Sequence, residues 1–280
     1  MSSTRTLRVG HTPDPDDAFM FYGFQTGAVK LEGFEVVHVL KDIQELNELA
    51  RHGSLEVTAI SAAAYPSVAD KYWVMDVGAS VGRGYGPLVV ARQETNPKTL
   101  RGKRLAVPGL QTTAYLLARL LMPEFEPVVV RFDQVMETVR SGGADFALVI
   151  HDGQLTYGES GFHKVADLGE LWEKETGLPI PLGLDLVRKN LGRDLALRVC
   201  AAMKTSIKYA LAHPAGADEH ARAFGRDLDL PTSARFVRMY VNEDTLNLGQ
   251  EGKRAIETLF QKAGAIGLAE PIEELEIIGV

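Results

Sequence analysis

The chain has 280 residues, 45% of them hydrophobic, enough to build one large domain or two ordinary lobes without disulfide or metal staples. Its net charge of -7, with acids and bases mixed along the whole length, argues against nucleic acid or an anionic membrane surface as the main target and leaves a small molecule as the expected partner. The single cysteine, Cys200, cannot close an internal disulfide. Met1-Ser2-Ser3-Thr4-Arg5-Thr6 has no apolar export core, and no run approaches a membrane span, so a cytoplasmic protein is expected.

In chain order, Leu7-Arg8-Val9 reads as a short strand and Ala18 to Phe24 as a buried helix. Between them, Gly10 to Phe19 crowds three carboxylates and two prolines into a polar turn. Asp14 suits an N-cap, Pro15 the first helical position and Asp17 a capping partner. Acids are favoured in any first helical turn, so capping and pocket-lining both remain open for Asp14 and Asp16. Next come a strand over 34–40, a helix over 43–52, a strand over 56–60 and a helix from Ala62, which is an α/β rhythm. After the glycine-rich Val81-Gly82-Arg83-Gly84-Tyr85-Gly86-Pro87 comes a strand over 88–92, and then a polar stretch, 93–103, that could cross between lobes. The second α/β set has strands over 104–107, 128–132 and 146–150, with helices over 113–121 and 134–141. Gly177-Leu178-Pro179-Ile180-Pro181-Leu182-Gly183 punctuates the chain before a last strand over 184–188 and a mainly helical remainder. There Leu195, Val199, Ala202, Met203, Ile207 and Ala210 share one helix face, ending at His213-Pro214. Cys200 flanks that face and reads as a packed thiol. The expectation is a two-lobed α/β protein: residues 1–92 plus 184–280 form the larger lobe, residues 93–183 the smaller, and a ligand binds in the cleft between them.

Ligands of open α/β sheets bind outside the carboxyl ends of the strands, and four predicted strand ends here carry polar residues. His11, Thr12, Asp14, Asp16 and Asp17 follow the first, Ser61 another, Gln111-Thr112-Thr113 a third, and His151-Asp152 the fourth. Thr112 and Thr113 open a helix, whose amides and dipole favour a carboxylate; capping alone would account for one of them. Ser61 reads equally as a ligand contact or an N-cap. An imidazole ordinarily titrates near neutral pH, as a general base requires, and His151 is the preferred candidate, with His11 a second and a backbone-bonded imidazole the plain alternative. Gly82-x-Gly84-x-Gly86 precedes a strand where a dinucleotide fingerprint follows one. No phosphate loop, HExxH, paired CxxC or GxSxG is present, and no cofactor or metal is expected.

At these same residues the chain resembles the 1,4-dihydroxy-6-naphthoate synthases of the futalosine route to menaquinone. The family signature Ser-Pro-Cys-Pro-Asn-Asp-Thr-Phe stands here as Thr12 to Phe19, with Asp14, Asp16 and Ala18 in place of the cysteine, asparagine and threonine. Gly82 to Arg92, Val107-Pro108-Gly109 with Thr112-Thr113-Ala114-Tyr115, Ile150-His151, Thr176 to Gly183, and Tyr209 to Pro214 also match in order and spacing. The resemblance implies a two-lobed, periplasmic-binding-protein-like (type II) fold turned to cofactor-independent catalysis. It implies cyclic dehypoxanthine futalosine as substrate, His151 as base, and Asp17, Ser61, Thr112 and Thr113 as substrate-holding residues, with His11 nearby. The added carboxylates Asp14 and Asp16 would repel an anionic substrate unless they face away or are neutralised. The sister family, the chorismate dehydratases, shares the implied fold, and a cytoplasmic carboxylate-binding protein without catalysis is the reading from another class. An exposed apolar stripe on the C-terminal helices would permit a homodimer.

Overall fold

The computed structural model describes residues 5–225 and 228–279; the first four residues of the polar N-terminal lead-in lie outside them. The chain forms strands β1 (Arg5–His11), β2 (Phe34–Leu40), β3 (Val57–Ser61), β4 (Tyr72–Met75) and β5 (Ser80–Gly82) before crossing to a second sheet. That second sheet contains β6 (Leu88–Ala91), β7 (Arg104–Val107), β8 (Glu126–Val129), β9 (Phe146–Val149) and β10 (His163–Asp167). The chain then returns through β11 (Ile180–Arg188) and closes with β12 (Ile277–Ile278). The seven-stranded sheet runs β12-β4-β11-β3-β1-β2 with β5 paired to β11, and the five-stranded sheet runs β10-β6-β9-β7-β8.

The sheets correct two boundaries read from the sequence. Leu88–Ala91, expected with the first lobe, pairs antiparallel with β9 and β10 of the second sheet. The crossing is therefore the glycine-rich segment before it, not the polar stretch after it. The return strand also begins at Ile180 rather than Leu184: Ile180 and Pro181 pair with Gly82 and Val81 of β5. Proline is tolerated there because β5 is a three-residue spur beside the main path.

The glycines of the crossing serve close approach. A Cβ at Gly169 would stand 2.0 Å from the carbonyl carbon of Tyr85, and one at Gly86 would stand 2.9 Å from the Gly169 amide nitrogen. Gly84 has a φ of +74°, which a side chain at Cβ would resist. Around this contact, Arg83 makes a two-pronged pair with Asp244 at 2.8 and 2.7 Å and reaches Glu251 at 2.8 Å, while the Tyr85 hydroxyl donates to the carbonyl of Met239. The return crossing is pinned by the buried Trp172 indole, which donates to the Pro179 carbonyl at 3.1 Å. One hydrophobic cluster runs through both sheets, joining Ile60, Val74 and Leu186 of the first to Val89, Leu105 and Leu148 of the second.

The amphipathic helix read at 195–210 spans Arg193–Ala212. Its stripe is spent inside the molecule: Val199, Met203, Ile207 and Ala210 are buried against Leu7, Val9, Phe19 and Phe21. Cys200 is fully buried, its Sγ 3.6 Å from the Ile278 carbonyl, and burial pushes the thiol up to about 12, so it packs rather than reacts. No helix among the described residues is long and apolar enough to cross a membrane.

Gly169→Ala is expected to lose about 1–3 kcal/mol through overpacking against the Tyr85 backbone, whereas Gly158→Ala, with nothing within 4 Å of the new methyl, should be near neutral. Thermal melts of the two variants check this; equal midpoints would show that the crossing yields without cost.

Candidate active site

Four strand ends meet at one open-sided cavity between the sheets, the kind of concavity in which small molecules bind. β1 supplies Thr12, Asp16 and Asp17; β3 ends in Ser61; Thr112, Thr113 and Ala114 follow β7; Ile150 and His151 follow β9. The strand-end reading therefore located the wall. It missed what β11 and the C-terminal helix Leu230–Tyr240 add, namely Leu182 to Asp185, Phe236 and Tyr240.

His151 occupies a tight turn. Its φ of 55° makes it the one residue other than glycine with positive φ among those described, a backbone state that costs energy and is retained where the surroundings enforce it. The turn carries the imidazole to the cavity wall, where Phe132 packs edge-on at 5.0 Å between ring centroids. Its Nδ1 lies 3.0 Å from Asp14 Oδ2. Asp14 sits at the N-cap of the helix Pro15–Met20, but its carboxylate makes no cap hydrogen bond; that side chain is turned to His151 instead. With Nδ1–H donated to Asp14, the ring's basic lone pair is on Nε2.

Asp17 does not complete a capping box. Its Oδ2 accepts from the Thr12 amide at 2.6 Å and the Thr12 hydroxyl at 2.8 Å. Burial pushes Asp17 up to about 6, although the Thr12 bonds pull the other way. Asp16 is held well above the usual carboxylate range, first by burial and then by Asp17 and Asp14, and its Oδ1 has no hydrogen-bond partner. The repulsion expected from the extra carboxylates is thus countered in two ways: Asp14 is paired with an imidazole, and the surroundings of Asp16 favour its protonated form.

Ser61 is not an N-cap by its side chain. Its amide donates to Asn47 Oδ1 at 2.8 Å and its hydroxyl accepts from Asn47 Nδ2 at 3.2 Å, which leaves the Ser61 O–H to donate into the cavity. Thr112 caps the helix Thr113–Leu121, accepting from the Tyr115 amide at 3.2 Å while its hydroxyl donates to the Gly109 carbonyl at 2.8 Å. Thr113 is a strut: its hydroxyl donates to the Leu182 carbonyl at 2.7 Å and accepts from the Ala63 amide at 3.1 Å. The anion-binding capacity here belongs to the backbone, because Thr113 and Ala114 lie at the first helical positions, where amides have no intrahelical acceptor.

His11 is not brought to the cavity. It is 1% exposed, stacked on Phe21 at 4.3 Å, with Nδ1 donating to the Thr12 carbonyl and Nε2 2.9 Å from His38 Nδ1. Burial, with His38 adding to it, drives His11 down to about 3. It holds the backbone that presents Thr12 and is no competitor of His151.

Three further polar residues went unread. Tyr240 donates to Gln154 Oε1 at 2.9 Å and is buried, which turns the Gln154 amide nitrogen into a donor with a fixed direction. Asp185 interrupts the apolar run Leu184 to Val187 in β11. That interruption was the legible signal, since an acid in the centre of a buried strand is costly to bury. Among the described residues, no group of three or more His, Cys, Asp or Glu is arranged to hold a metal ion.

Because Asp17 is raised from the ordinary carboxylate value near 4 to about 6, its protonated form is the one folding favours. The stability of the wild type relative to Asp17→Asn, which keeps an acceptor for Thr12, should be greatest below about pH 4 and fall as pH rises through about 6. Paired thermal melts across that window test the sign, and a flat difference would contradict it.

The site lies in a chain that matches, over residues 7–265, the family model described as menaquinone biosynthesis. It is 43% identical over 265 residues to a Thermus thermophilus protein named 1,4-dihydroxy-6-naphthoate synthase, covering 95% of this chain and 96% of that one. It is 37% identical to a protein of the same name from Streptomyces coelicolor, covering 95% of each. Among solved structures, a protein of Archaeoglobus fulgidus is 44% identical with a TM-score of 0.90, over 95% of this chain and 99% of that chain. The alkanesulfonate-binding protein of Xanthomonas axonopodis pv. citri, 14% identical, superposes with a TM-score of 0.75 over 98% of each chain, which places the fold among the two-lobed periplasmic-binding-protein-like architectures. The chain belongs to the menaquinone-biosynthesis family.

Proposed function

We propose that this enzyme of menaquinone biosynthesis is a lyase that converts cyclic dehypoxanthine futalosine to 1,4-dihydroxy-6-naphthoate and a three-carbon fragment. The observation that carries this reading is the contact of 3.0 Å between Asp14 and His151, whose ring lines the cleft. A carboxylate on Nδ1 fixes the ring's orientation and stabilises the imidazolium that forms when Nε2 takes a proton. The relatives' names supply the product, 1,4-dihydroxy-6-naphthoate, and the resemblance to the futalosine-route synthases supplies the substrate.

In this mechanism the substrate carboxylate lies at the start of the helix Thr113–Leu121, on the backbone amides of Thr113 and Ala114. The Ser61 hydroxyl, oriented by Asn47, and the Gln154 amide, oriented by Tyr240, engage the oxygens of the sugar-derived ring. His151 Nε2 removes a proton from that ring, and the resulting anion fragments it. Aromatisation of the bicyclic portion supplies the driving force. Closure of the lobes on the bound substrate keeps water from the anion.

Purified enzyme incubated with cyclic dehypoxanthine futalosine should release 1,4-dihydroxy-6-naphthoate, detected by mass spectrometry. Failure of folded protein to do so overturns the reading and makes chorismate the next substrate to test. His151→Ala should lower kcat by about 10³-fold or more while substrate still binds, as measured by calorimetry, and Asp14→Asn should lower kcat by roughly 10²–10⁴-fold with KM little changed. Equal loss of binding and turnover in His151→Ala would favour a binding role for the histidine instead.

A further inference from the structure

Asp185 is a polar side chain of the cavity that the mechanism above leaves unused. It lies within β11, where Asp185 pairs with Ala59 of β3 and the next residue, Leu186, pairs with Val74 of β4. A strand held on both edges fixes where the carboxyl points. The residue is 2% exposed, lines the cavity, and its Oδ2 has no hydrogen-bond partner. A buried acid that served the fold alone would be bonded to the fold. The chain also makes room for it: Gly78, with φ +90°, lies so close that a Cβ there would stand 2.0 Å from Asp185 Oδ2. Gly78 cannot retreat freely, because its amide donates to the Thr245 carbonyl at 2.8 Å. Burial, followed by the nearby Asp17 and Asp16, holds the carboxyl well above the usual range, a shift that favours the protonated form, whose O–H is a donor.

We propose that Asp185 is a neutral hydrogen-bond donor to the substrate, holding the oxygen on which negative charge develops when His151 removes its proton. The assignment rests on the lyase reading above for the identity of that oxygen, but not for the donor state of the acid. It comes from the seven-stranded sheet, whereas His151 comes from the five-stranded sheet, so base and donor approach the substrate from the two walls of the cleft. No bond to Asp185 forms or breaks: the abstracted proton stays on His151 Nε2, and the Asp185 O–H contact strengthens as charge builds on the substrate oxygen. Such a donor, fixed before the reaction by the strand that carries it, contributes mainly to the transition state.

Two measurements test this on the whole enzyme. In Asp185→Ala, kcat should fall by about 10²–10³-fold with KM changed far less, whereas Asp185→Asn, which retains an N–H donor, should recover much of the loss. Asp185→Asn should also lack any alkaline limb that ionisation of Asp185 imposes on kcat. Wild-type turnover with an Asp185→Ala rate within threefold of it overturns the assignment and leaves the lyase reading intact; absence of wild-type turnover overturns the lyase reading. The second measurement is independent of turnover: infrared difference spectra at neutral pH should show a protonated-carboxyl C=O stretch that Asp185→Asn lacks. If the band assigned by that comparison is absent, Asp185 is ionised and the inference fails whatever the kinetics; if present, the donor state is supported.

Discussion

The contact between Asp14 and His151 is the interaction on which the site depends, because it ties the two sheets together at the mouth of the cleft. Asp14 follows β1 in the seven-stranded sheet, and His151 follows β9 in the five-stranded sheet. A carboxylate with 2% of its side chain exposed is tolerable only if charge or hydrogen bonds compensate it, and the partner it finds is an imidazole held in a left-handed turn. The same contact therefore satisfies a buried acid, orients the ring and closes one side of the cavity.

Around that pair the protein manages an unusual concentration of carboxyl groups by giving each a different environment. Asp17 is bonded twice by Thr12, Asp14 faces an imidazole, and burial pushes the carboxyls of Asp16 and Asp185 well above the usual range. Chemically similar side chains are thus placed in different electrostatic surroundings, beside oriented amides and hydroxyls. The threonines after β7 show the complementary economy: their hydroxyls are consumed in holding Gly109, Leu182 and Ala63 in place, so the helix backbone is what remains to receive an anion.

The glycine-rich crossing shows how composition can mislead when its physical cause is elsewhere. Gly82, Gly84 and Gly86 resemble a phosphate cradle in their spacing, yet two of them permit contact between backbones at Tyr85 and Gly169, and Gly84 supplies a left-handed turn. Arg83 and Tyr85 between them reach Asp244, Glu251 and Met239 of the C-terminal helical region. The segment that joins the lobes is thereby fastened to the elements that wall the cleft.

The sequence by itself determined the α/β class, the strands over 34–40 and 104–107, the helix over 113–121, and the strand ends that bear Asp17, Ser61, Thr112, Thr113 and His151. Those features follow from local periodicity, from capping chemistry and from the rule that open sheets bind ligands at their carboxyl ends. The tertiary structure alone decided that His11 turns to His38 and Phe21, that Leu88–Ala91 belongs to the second sheet, that Asp14 pairs with a histidine far along the chain, and that Asp185 faces the cavity. Each of these depends on which element lies opposite. Strand pairing and side-chain partnership are properties of residues distant in sequence, and no local pattern of polarity encodes them.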